Sequence, residues 1–308
     1  MKTSLLLVSL LAITLPGWTQ SREHEEGDQP DPPMLGPHFE RGQAHQSGGG
    51  SSSSPDMVFH NGPVLPATVT GTIFWGTNWA NASFAGDKIS GLDSWYQGVG
   101  GSTYARTSDE FTGTNGQVTA AISFTGHVID TTAAPSRAPR TSTILNEVCA
   151  KIANPVANGY YAVYVDTPRR NAGYCAWHSW ASCRTASGSV PVQFAFFFNL
   201  DGDPGCDPQS TVSGQSQGLA ALANVTGHEL SEARTDPTGA GWYDASGAEN
   251  GDKCAWAFGS PFVTFANGTS WKIQGNWSNQ AYNGNFGYTN NSGQKGCLDG
   301  QSYPPVAP

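Results

Sequence analysis

Residues 215–237 read QSQGLAALANVTGHELSEARTDP. Leu219, Leu222, Ala223, Leu230 and Ala233 recur at helical intervals and can share one apolar face, so the stretch predicts the clearest helix of the chain, from Gln215 to Thr235. Pro237 ends it: proline has no amide N–H to donate, and it biases the preceding Asp236 away from helical angles. Within this helix lies His228-Glu229-Leu230-Ser231-Glu232, where His228 and Glu232 stand four residues apart and project from one face.

Working outward, Val69, Gly71, Ile73 and Trp75 alternate with Thr68, Thr70 and Thr72, the period of a half-buried strand over Ala67 to Trp75. Ile89, Leu92, Trp95, Tyr96 and Val99 repeat at three and four residues, which predicts an amphipathic helix from Asp87 to Val99 despite Gly91. Val118 to Val128 reads as a strand and Thr143 to Ala153 as a short helix. Tyr160 to Val165 and Val190 to Leu200 read as two strongly apolar strands, expected at the centre of a sheet. Strands and helices mixed in this order predict an α/β (α+β mixed) single domain, a mixed sheet backed by helices.

Upstream, Met1 and Lys2 precede a short apolar run from Leu5 to Leu15 and small residues before Thr19, the pattern of a secretory signal peptide over residues 1–20. Residues 21–55 are rich in Glu, Gln, Pro, Gly and Ser with almost no aliphatic side chain, and are expected to form a disordered leader or linker. The domain is then expected over 56–308. A net charge of −9 without basic clusters argues against a nucleic-acid or anionic-membrane surface. Six cysteines in an exported chain predict disulfides, three at most, with no pairing preferred. The expected location is secreted, extracellular or cell-wall-associated.

The His228–Glu232 spacing is that by which HExxH helices present two ligands to zinc, and a carboxylate can replace the second imidazole because zinc accepts Asp and Glu oxygens. On this reading Zn²⁺ is held by His228 and Glu232 and a third ligand from Asp236, Asp244, Glu249 or His178. Asp252 lies on the same loop as Asp244 and Glu249, and Glu229 serves as the catalytic base. The competing reading gives His228 and Glu232 ordinary buried hydrogen bonds, with Asp236 and Asp244 bracing loops around Pro237. For His178, between Trp177 and Trp180, interior packing outweighs ligation. Asp201, Asp203 and Asp207 lack the spacing of a calcium loop and read as a rigid turn. Trp271, Trp277, Tyr282, Phe286 and Tyr288 suit a loop-rich core better than a sugar-stacking face.

Phe59-His60-Asn61-Gly62-Pro63-Val64-Leu65, Cys175-Ala176-Trp177-His178, Gly227 to Glu232, Thr235-Asp236-Pro237 and Trp242-Tyr243 occur in an order that resembles the phosphate-induced, EXORDIUM-like family. The similarity spans most of Phe59 to Cys297, and the tail from Glu249 to Trp256 with Gly296-Cys297 is closer to bacterial secreted members than to plant ones. The resemblance implies an extracellular or cell-wall-associated protein, linked in plants to growth and cell expansion, and brings no settled reaction with it. Two functions follow as expectations. One is a zinc-dependent hydrolase, a peptidase with a zincin-like active helix, acting on a peptide or cell-wall polymer. The other is a non-catalytic cell-wall binding protein that keeps the scaffold.

Overall fold

The strands Leu35–Phe39 (β1), Thr68–Trp75 (β2), Ile122–Asp130 (β3), Gly159–Pro168 (β4), Tyr174–Thr185 (β5) and Gly188–Asn199 (β6) form one mixed sheet in the order β1-β5-β6-β4-β2-β3. This is seen in a computed structural model that describes residues 31–43 and 55–305. The signal peptide expected over 1–20 lies outside the described residues. Neighbours among β2, β3, β4 and β6 pair in parallel, whereas β5 is antiparallel to β6 and β1 antiparallel to β5.

The central position expected for the two apolar strands is observed. β4 is buried from Gly159 to Val165 and β6 from Val192 to Phe198, as strands covered on both faces require. β3 instead alternates in burial along most of its length, consistent with its place at one edge of the sheet. It begins at Ile122, not at Val118, which packs in a second, smaller core with Met57, Phe111, Trp277 and Tyr288. Trp271 is buried as well, so Trp271, Trp277 and Tyr288 are core residues.

The helices Lys88–Val99 (α1), Thr141–Lys151 (α2) and Gln217–Thr235 (α3) fall close to their expected places. α3 starts at an N-cap: the Ser216 hydroxyl accepts from the Leu219 N–H at 3.1 Å. It packs on α1, β1, β5 and β6, and every residue from Gly218 to Thr235 is buried. A helix buried all round must satisfy its polar side chains internally. Thr226 meets the Tyr164 hydroxyl at 2.8 Å, the Asn224 carbonyl oxygen accepts from the Gln274 N–H, and Arg234 donates to the carbonyls of Ala105 and Thr119.

Two elements differ from expectation. β5 lacks a clear alternation in sequence, yet it forms twelve residues of strand and carries His178. The stretch expected to be a disordered leader contributes β1: Asp31 to Gln43 is ordered on the sheet, held by Ser179 Oγ donating to the Pro33 carbonyl at 2.6 Å and by the Arg169–Glu40 ion pair at 2.6 Å. The low aliphatic content of this stretch is misleading because its strand bonds through the backbone to an existing sheet edge.

All six cysteines are paired, as Cys149–Cys183, Cys175–Cys206 and Cys254–Cys297. The first ties α2 to β5, and the third ties the segment after α3 to the strand Lys295–Leu298. Among the described residues no helix is long and apolar enough to cross a membrane.

Candidate metal centre

Glu232 is the hub of the buried polar cluster. The α-helical spacing puts it on the same face as His228, whose Nε2 stands 3.0 Å from Glu232 Oε1. The opposite carboxylate oxygen, Oε2, faces His178 of β5 across 3.8 Å, and His178 Nε2 is in turn 3.5 Å from Glu249 Oε2. Asp252 completes the Oε1 side: its backbone N–H donates to Glu232 Oε1 at 2.9 Å, and its Oδ1 lies 3.6 Å from His228 Nε2. Two ligand sets therefore share Glu232, one with His228 and Asp252, the other with His178 and Glu229.

These separations suit a metal ion. Zinc bonds of about 2.0–2.2 Å at a tetrahedral angle place two donor atoms roughly 3.4 Å apart. The donors on the Oε2 side are also unusual for a folded interior. His178 Nδ1 and Nε2, Glu232 Oε2 and Glu249 Oε2 are all buried with no hydrogen-bond partner, an arrangement that costs about 1–3 kcal/mol per group unless something else binds them. Among the described residues no Lys or Arg pairs with Glu229, Glu232 or Glu249.

The electrostatics follow from this crowding. Burial pushes His178 down to about 3, so its imidazole is neutral and its lone pair free. Burial also lifts Glu229, Glu232 and Glu249 well above the ordinary carboxylate range, and the Asp252 charge adds to the rise at each. At Glu229 the His38 N–H leans toward the carboxylate without closing a full hydrogen bond and offsets part of the rise. A divalent ion among these acids would oppose that rise and favour their ionised forms.

His228 is more encumbered than His178. Gln274 accepts from the Trp256 N–H at 3.1 Å and donates to the Gly251 carbonyl at 2.9 Å, and this pair orients its amide. The NH₂ therefore faces His228 Nδ1 at 3.1 Å. Nδ1 accepts, and the neutral ring carries its proton on Nε2, toward Glu232 and Asp252.

The other expected ligands are placed elsewhere. Asp236 Oδ1 accepts from the N–H groups of Ala240 and Gly241 at 2.8 and 2.7 Å, closing the turn after Pro237. Asp244 accepts from the Ser246 N–H at 2.8 Å and pairs with Lys253 at 2.6 Å. Both carboxylates brace loops, because their nearest donors are local, and neither belongs to a ligand set. Glu249 stays at the cluster through His178 Nε2 but lies outside both ligand sets, and Asp252 takes the position beside His228.

Three neighbours were not legible as site residues. His38 of β1 is buried and stacks on His228 with ring centroids 3.9 Å apart and planes within 3°. Gly36 lies against the Oε2 side: a Cβ there would stand 2.0 Å from Glu232 Oε2 and 2.7 Å from His178 Nε2. Gln274 sits 46 residues beyond His228 in the chain. No protein-family model, curated protein or solved structure matches this chain.

Proposed function

We propose that this is a secreted, zinc-dependent hydrolase, a peptidase whose metal sits on the Oε2 side of Glu232 with His178 and Glu249 as the further ligands. The observation that carries the reading is that His178 Nε2 and Glu232 Oε2, buried and without hydrogen-bond partners, face each other across 3.8 Å, with Glu249 Oε2, likewise unpartnered, 3.5 Å from His178 Nε2. A neutral imidazole with two carboxylates is a ligand set that zinc accepts. On this proposal α3 supplies Glu232 and Glu229 while β5 supplies the imidazole, in place of the His228 ligand expected from HExxE.

When bound, the cation would lower the pKa of a water in its open position toward neutrality and polarise a substrate carbonyl. Glu229, in the same ligand-distance group as His178 and Glu232, would be placed to act as the general base beside the seat, holding or passing a proton there. His228 and Asp252 hold Glu232 from its other oxygen, so that Oε2 stays directed at the seat. Export is supported by the leader sequence and the three disulfides.

One observation favours the second reading, an extracellular or cell-wall binding protein of EXORDIUM-like type with a structural metal. His178, His228, Glu229 and Glu232 are all fully buried, and β1 covers them. Metal content of the wild type against His178→Ala, His228→Ala and Glu229→Gln tests the seat. A peptidase assay on the same samples tests the chemistry. One zinc per chain, lost in His178→Ala, is the expected result, and absence of bound metal in the wild type overturns the proposal.

A further inference from the structure

The seat is sealed by the chain's own N-terminal segment, and the manner of sealing describes a ligand. β1 is the edge strand of the sheet and lies antiparallel on β5, with Leu35 opposite His178, His38 opposite Ala176 and Phe39 opposite Tyr174, and the register slips at both steps. Gly36, at φ +45°, is the residue over the seat, and any side chain there would enter it. Two residues on, the His38 ring enters a flat slot walled by His228 and by Trp256, whose centroid is 4.5 Å away. The Trp256 indole N–H donates to the Phe39 carbonyl at 2.9 Å, and Arg41 lies over the same indole at 4.8 Å.

Several features set β1 apart from an ordinary core strand. Its ladder is short and irregular. His38 is fully buried, yet neither ring nitrogen has a hydrogen-bond partner, whereas a strand selected for stability would place an apolar side chain there. The segment is joined to the rest of the domain through a stretch that includes GGGSSSS at residues 48–54.

We infer that the β5 edge, the cation seat and the His228–Trp256 slot form a binding site for an extended peptide, with glycine facing the seat and a planar ring two residues further on, and that β1 occupies this site in cis. The peptide pairs through its backbone with β5, as in other cases of strand addition to an exposed sheet edge. While β1 is docked, the seat is closed to other peptides. That the bound peptide is the substrate rests on the hydrolase reading above; the peptide site itself does not.

The test uses the full chain with a site-specific protease sequence replacing residues 48–54, nicked after folding, and a fluorescent synthetic peptide of residues 31–43. The expected result is saturable exchange of the labelled peptide into the nicked protein, at least tenfold weaker binding of the same peptide carrying Gly36→Val, and no binding to the intact chain. In the intact chain, Gly36→Val is expected to displace β1 and raise acrylamide quenching of tryptophan fluorescence. Absence of exchange, or equal binding of the Gly36→Val peptide, overturns the inference. So does loss of the near-ultraviolet circular dichroism once the segment is displaced, because β1 would then be integral to the fold. Metal analysis on the same samples separates the two proposals. Exchange without bound zinc keeps the peptide site and removes the hydrolase, and zinc without exchange does the reverse.

Discussion

His178 Nε2 on β5 and Glu232 Oε2 on α3 face each other across 3.8 Å in the interior, and neither atom has a hydrogen-bond partner. Direct hydrogen bonding at that distance is excluded, whereas two ligands on one ion are separated by about this much. His178→Ala is therefore expected to weaken zinc binding by more than the roughly 10–100-fold that loss of a supporting residue costs. Titration against a competing chelator measures this. Unchanged affinity would remove His178 from the ligand set.

Glu229→Gln separates base from ligand. A general base contributes about 10²–10⁴-fold, so turnover should fall by that amount while zinc content stays near that of the wild type. Loss of zinc in this variant would make Glu229 a ligand, as its distance group with His178 and Glu232 also permits.

Asp252 and Asp244 should behave differently although they share a loop. Asp252→Asn keeps the backbone N–H bond to Glu232 but removes the charge 3.6 Å from His228, so metal affinity should fall with little change in stability. Asp244→Ala removes the Lys253 pair and the Ser246 turn bond, and is expected to cost about 1–3 kcal/mol by thermal unfolding with metal affinity retained.

The Cys254–Cys297 bridge anchors the short helical turn Asp252–Cys254, and with it Asp252, to the strand that pairs beside Trp277. Replacing both cysteines by alanine is expected to destabilise by about 2–4 kcal/mol and to weaken zinc binding together. A lower melting temperature with unchanged metal affinity would show that the loop is held by its other contacts.

Away from the site, burial raises Glu147 to about 7, with the hydrogen bond and charge of Asp130 adding to the rise, while Lys151 pairs with Asp130 at 2.8 Å. The folded state holds the Glu147 proton more tightly than the unfolded state does. Its contribution is fully present below the unfolded value of 4.5 and is lost as pH rises through about 7. Glu147→Gln keeps a donor for Asp130 and should flatten the decline in stability over that window, by on the order of 1–3 kcal/mol. Denaturant unfolding at pH 5 and pH 8 checks the slope.

Periodicity located β2, α1 and α3, because their apolar side chains repeat with the period of the element that buries them, and unbroken apolar runs located β4 and β6, which are covered on both faces. It also placed His228, Glu229 and Glu232 on one helix, since that relation is local. The turn roles of Asp236 and Asp244 were half legible, because the backbone N–H groups they accept from lie within five residues. His178, Gly36, His38 and Gln274 are another matter. They reach α3 from a strand, an N-terminal segment and a distant loop, and only sheet register and long-range packing bring them within a few ångströms of Glu232 and His228. Sequence thus determined which helix carries the carboxylates. Tertiary structure decided which imidazole faces Glu232 Oε2, and that the chain's own β1 lies across it, because such contacts depend on the three-dimensional path of the backbone and leave no periodic trace along it.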